Sequence, residues 1–147
     1  MSGFKFKYEN IIQIKERMEE SAKGRLAGAQ RELDIEKNKL NSLVDEKNNC
    51  IGVINNRVKE GTNVTFLQQY NSYMNSLSTN IEKKEKDIQV CKSRVNEKRE
   101  ELVRAVKEKK IMEKFKEKER EKFIEWEKKQ EILLVDELVT YKNFKSN

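Results

Sequence analysis

The chain contains no proline among its 147 residues, where average usage of about 5% would supply roughly seven. Without that fixed φ and missing N–H, nothing in the sequence forces a helix to stop. Glycine is scarce too, at five. Both shortages favour long helices over sheets and loops. Histidine is absent, which removes the commonest general base and metal ligand. The two cysteines, Cys50 and Cys91, are too far apart in sequence to suggest a metal pair. They read as reduced thiols of a cytosolic protein. The opening residues, MSGFKFKYEN, hold no apolar signal core. No run of about 18 apolar residues occurs, so no membrane span is expected. Glycine-rich phosphate loops and CxxC pairs are missing as well. Two helices alone enclose no concave pocket. The expectation is a binding or mechanical part, not an enzyme, with no catalytic residue, cofactor or metal.

Charge is what the chain has most of. Charged residues make up 39% and hydrophobic ones 35%, too lean for a multilayer core. The net charge is +6, from 32 basic and 26 acidic residues with the signs interspersed. Mixed charge of this kind is mostly a solvated helix face, so nucleic acid is not the expected partner. Disorder is the competing reading of so much charge, but disorder carries no periodicity. Here Leu67, Tyr70, Met74, Leu77, Ile81, Lys84, Ile88, Cys91, Val95, Lys98, Leu102, Ala105, Lys109 and Met112 succeed one another at steps of three and four without a slip. All are apolar or aromatic except the lysines, whose stems can lie along a seam while the ammonium reaches water. A 3,4 repeat sustained this long predicts the contact stripe of a coiled coil.

The first half of the chain carries a second stripe: Ile11, Met18, Ala22, Leu26, Ala29, Leu33, Leu40, Val44, Ile51, Ile54 and Val58, with Lys15, Lys37 and Lys47 filling gaps. Its register takes one extra residue between Ala22 and Leu33. Gly24 and Gly28 make this section slim, either for close approach of another helix or as a soft segment. The one turn signal is Glu60-Gly61-Thr62-Asn63-Val64-Thr65. Gly61 is placed as a C-cap, Asn63 and Thr65 as caps of the next helix, and Thr65 with Gln68 as a capping box. Helices joined by so short a turn fold back antiparallel. Setting Val58 opposite Leu67 puts Ile51 opposite Met74, Val44 opposite Ile81 and Ala29 opposite Val95. In that register the cysteines are about 24 Å apart, beyond disulfide reach. The expected fold is all-α: one domain over 1–147, a long antiparallel two-helix coiled-coil hairpin with an overhanging C-terminal helix end. Helix 1 spans about 8–59, the turn 60–65 and helix 2 about 66–141.

Tyr8 then pairs near Glu117, and the residues beyond Glu117 lack a partner except where Phe4 and Phe6 reach them. Phe4 and Phe6 are placed either to staple the first helix or to cover an end. Between Lys107 and Glu131, 18 of the 25 residues are charged. Lys114, Lys118 and Lys122 form one row and Glu117, Glu121 and Glu125 another, with opposite charges meeting at i,i+3 as in Glu117 and Arg120. The rows serve solubility or form a charged shaft for a polar, ring-like partner. The apolar residues around and beyond them, Phe123, Trp126, Ile132, Leu133, Leu134, Leu138, Val139, Tyr141 and Phe144, need a partner or aggregate.

The start FKFKYENIIQIKE, the segment QQYNSYMNSL after the turn and the block KREELVRAVKEKK together resemble FliJ, the small soluble protein family of the bacterial flagellar type III export apparatus. The likeness spans nearly the whole chain. It implies a coiled coil similar to the central stalk of rotary ATPases, cytoplasmic and peripherally associated with the inner membrane at the flagellar base. Implied partners are the hexameric export ATPase, the cytoplasmic domain of the membrane export gate, and export chaperones. By residue matching, Tyr73 and Leu77 fall in the gate-contacting strip, with Leu43 and Cys50 beside the seam on helix 1. The ring-inserting end would be the paired termini with Lys114, Lys118, Arg120, Lys122, Phe123 and Trp126. This reading expects a monomer. The alternative is a structural coiled-coil tether or a prefoldin-like holdase, which expects a stable oligomer built through the C-terminal cluster.

Overall fold

The computed structural model describes residues 3–146. It contains two helices, α1 (Glu9–Glu60) and α2 (Val64–Ser146), which pack antiparallel as an all-α hairpin. Their connection is three residues, because Val64 and Thr65 are already helical. Gly61 comes directly after α1 with φ +89°, the left-handed conformation that glycine adopts without a Cβ penalty. Asn63 is the N-cap. Its Oδ1 accepts from the Phe66 amide at 2.8 Å, and its carbonyl accepts from the Leu67 amide. Thr65 lies inside the first turn of α2, so the Thr65–Gln68 capping box does not form. The Arg57 guanidinium covers the Phe66 ring at 4.8 Å, and Phe66 packs on Tyr70.

The chain divides into two compact units. The first is Ser21–Leu102. Its core holds Ala29, Leu33, Ile88, Cys91 and Val95, with Leu26 and Leu40 packed against them. Ala22, Cys50 and Leu77 are buried as well. Ion pairs cross the helices in antiparallel order: Lys84 to Glu36 at 2.7 Å, Arg94 to Glu32 at 2.9 Å and Arg25 to Glu101 at 3.2 Å. The second unit comprises the residues up to Glu20 and those from Val103 on. Ile12 is its buried apolar residue. Lys116 pairs with Glu9 and Lys109 with Glu19, each at 2.7 Å, and Lys15 with Glu108 at 3.0 Å.

The α2 stripe holds without exception. Every seam position from Leu67 to Met112 is buried or half-buried. The α1 stripe needs correction. Apart from Glu9 and Gly28, its buried and half-buried positions are Ile12, Lys15, Glu19, Ala22, Leu26, Ala29, Leu33, Glu36, Leu40, Leu43, Lys47, Cys50 and Ile54. These keep a strict 3,4 step with no extra residue. Ile11, Met18, Val44, Ile51 and Val58 are exposed flanks instead. The physical reason is that two glutamates occupy seam places. Glu36 meets Lys84 and Glu19 meets Lys109, so opposed charge fills layers where the α1 stripe was expected to hold only apolar residues and lysines. Reading past the glutamates shifts the stripe by one residue. Gly24 and Gly28 are not explained by close approach within the chain. A Cβ at Gly24 would meet nothing within 4 Å, and one at Gly28 only the Arg31 side chain at 3.9 Å.

Candidate functional surfaces

Two surfaces carry exposed residues of the kind that bind partners. The first lies just after the turn. Tyr73 is 48% exposed, because the heptad places it one residue before Met74, off the seam. Its hydroxyl donates to Glu46 Oε2 at 3.4 Å, and the negative charge of Glu46 raises the phenol above its ordinary value. Leu77 is only 3% exposed and so belongs to the seam. Cys50 is 4% exposed and sits in the seam, not beside it. Leu43 is half-buried in the same seam. Of these four residues, Tyr73 alone is exposed to a partner. Both cysteines are free thiols in apolar surroundings.

The second surface belongs to the unit formed by the chain ends. The residues before α1 run along α2 as an aromatic arm. Phe6 and Tyr8 pack on Phe115 at ring distances of 5.6 and 5.8 Å, and Phe4 packs on Phe123 at 5.7 Å. Phe4 and Phe6 therefore cover α2 and extend its half-buried line through Lys116, Glu119, Phe123 and Glu127. Phe123 is committed in part to that arm. Lys114, Lys118, Arg120 and Lys122 are exposed. Lys122 lies 3.5 Å from Glu119 one turn away, and Trp126 is 56% exposed beside Phe123.

From Lys128 to Ser146 every described residue is exposed. This tail nevertheless carries Ile132, Leu133, Leu134, Val135, Leu138, Val139, Tyr141 and Phe144, the last 81% exposed. Leu134, Leu138 and Tyr141 form one helical stripe. Ile132, Val135 and Val139 form a second on another side. A helix apolar on more than one side is normally enclosed.

Sequence reasoning missed two features. Glu46 as the partner of Tyr73 lies on the other helix, so only a correct α1 register could have found it. The other is the exposure of Ile11 and Ile111. Each lies between contacts that bridge the helices, Lys15 with Glu108 on one side and Tyr8 with Phe115 on the other. Spacing of three and four from those contacts was the available signal.

Among the described residues, no helix is long and apolar enough to cross a membrane. No curated protein sequence matches the chain. Among solved structures it is similar to a putative YscO homologue from Chlamydia trachomatis, with a TM-score of 0.63 and 17% sequence identity over 98% of this chain and 99% of that one. At that identity the likeness concerns the fold, a two-helix hairpin of matching extent. The family model described as flagellar FliJ protein matches residues 4–147. With that match covering nearly all of its length, the chain belongs to the FliJ family of flagellar proteins.

Proposed function

We propose that this chain is a stalk-like component of flagellar protein export. It binds and stimulates the hexameric export ATPase and links that ring to the cytoplasmic domain of the membrane export gate. It also escorts export chaperones, and it works at the cytoplasmic face of the inner membrane. Family membership and the name of the structural neighbour, a YscO homologue, support the export setting.

The observation that carries the ring contact is the tail after Glu127. It is fully exposed, apolar on more than one side, and preceded by the exposed cations Lys114, Lys118, Arg120 and Lys122. A ring lumen encloses a helix on all sides and so removes both stripes from water. The gate contact rests on Tyr73, the exposed aromatic beside a buried seam, presented with Glu46. Leu77, Leu43 and Cys50 support that surface from inside the seam. In this reading the chain's role in hydrolysis is to act on the ATPase that performs it.

The test is a pull-down of the ATPase from the same bacterium with the full chain, together with its hydrolysis rate. Binding and a raised rate are expected. A fully helical chain that neither binds nor stimulates would overturn the reading.

A further inference from the structure

We infer that the free protein pairs reversibly with a second copy of itself through the α2 tail, the two tails lying antiparallel. Three observations carry this. First, the stripe of Leu134, Leu138 and Tyr141 takes up the seam again. It begins eleven residues, or three helical turns, after Phe123, the last aromatic that the N-terminal arm covers. The surface is thus the continuation of a helix-pairing interface, and its natural occupant is another helix. Second, the charges select the direction. On the side of the stripe, Glu127 and Glu131 precede it and Lys142 and Lys145 come after it, while Lys128 and Lys129 point to other sides of the helix. Two antiparallel copies bring Leu134 of each opposite Leu138 of the other, Glu131 beside Tyr141, and Glu127 opposite Lys145. A parallel pair would stack like on like. Asp136 falls on the back of the helix, away from its counterpart. Third, from Glu127 to Ser146 there are four acidic and four basic residues. This balance gives no attraction to an anionic lipid surface and suits a self-complementary contact.

Tail pairing leaves Ile132, Val135 and Val139 uncovered, so it is weaker than enclosure. It competes with the ring for Leu134, Leu138 and Tyr141, and keeps them from water until the ring takes them. A contact of this size, below the roughly 1,200 Å² of stable complexes, associates weakly.

The experiment is sedimentation of the full chain over roughly 1–100 μM, the range in which so small an interface is expected to associate. The average mass is expected to rise from one chain toward two. L138D, checked for unchanged helicity, should stay at one chain throughout. K145E should weaken association about tenfold, since each pair has two such contacts worth ~0.7 kcal/mol apiece. Adding E127K to K145E should restore it. A single chain at every concentration, a dimer indifferent to L138D, or a double variant no better than K145E would each overturn the inference. Weak, reversible association leaves the single chain that the ring reading expects at low concentration, and that reading stands or falls separately on ATPase stimulation.

Discussion

The same helix does opposite things in two places. Between Leu67 and Leu102, α2 has a narrow apolar stripe, and every residue of it is buried or half-buried. After Glu127 it has more apolar residues per turn, and none of them is covered. The seam is leaner than the tail and yet is the part that folds. Stability there comes from alternation: apolar layers around Leu33, Ile88, Cys91 and Val95, interrupted by the Glu36–Lys84 layer. A wet layer costs some stability but fixes register, because slipping by one residue would leave a half-buried charge unpaired. In the tail no other part of the chain covers the apolar residues, and they are held ready for a surface supplied from outside.

This contrast can be broken most severely at Leu77. Leu77→Ala empties a buried seam position and should cost about 2–5 kcal/mol. Leu138→Ala, on the exposed tail, should stay within about 0.5 kcal/mol of the parent in the same thermal or urea melt. Equal losses would mean that the tail is part of the folded core. The next largest effect is expected at the turn. Gly61→Ala places a Cβ on a residue with φ +89° and should cost about 1–2 kcal/mol. A neutral outcome would show that the turn relaxes.

The pH dependence sharpens the comparison further, because, of the shifted carboxylates, Glu36 lies in the seam and Glu101 directly beside it. The hydrogen bond from Lys84 lowers Glu36, and that from Lys98 lowers Glu101. A lowered folded value means stabilisation that is full above the ordinary carboxylate value and lost as pH falls through the folded one. Lys84 and Lys109 are raised, first by their hydrogen bonds to Glu36 and Glu19. Their contribution is full below the ordinary lysine value and is lost as pH rises through the folded one. The melting temperature should therefore sag below about pH 4 and again above about pH 10.5. Glu36→Gln should flatten the acid limb. An unchanged acid limb would remove that layer from the account.

The smallest stability effect is expected at Tyr73. Tyr73→Ala should change the melt by no more than about 0.5 kcal/mol while weakening gate binding. Cys50→Ala should do the reverse. A Tyr73 variant that melts as early as the Leu77 variant would place it in the core.

Much of the fold was legible from residue order alone. The α2 stripe was fully readable because its polar members are lysines, which a seam tolerates. The α1 stripe was misread by one residue because Glu19 and Glu36 look like surface positions until their lysines are seen opposite. Gly61 was readable from its position after the last helical residue. Asn63 and Thr65 were both plausible caps, and the start of α2 at Val64 decided for Asn63. The exposure of Tyr73 came from its offset from the seam, whereas the burial of Cys50 depended on the α1 register and was missed with it. The reach of the aromatic arm to Phe123 moved the start of the uncovered tail from near Glu117 to beyond Glu127.

The most direct measurement compares export-ATPase hydrolysis with the full chain and with a chain ending at Glu127. That cut keeps the arm, Phe123 and the whole seam. The shortened chain should melt within about 0.5 kcal/mol of the full one and give no stimulation. Stimulation equal to that of the full chain would contradict the division between a seam that folds and a tail that works.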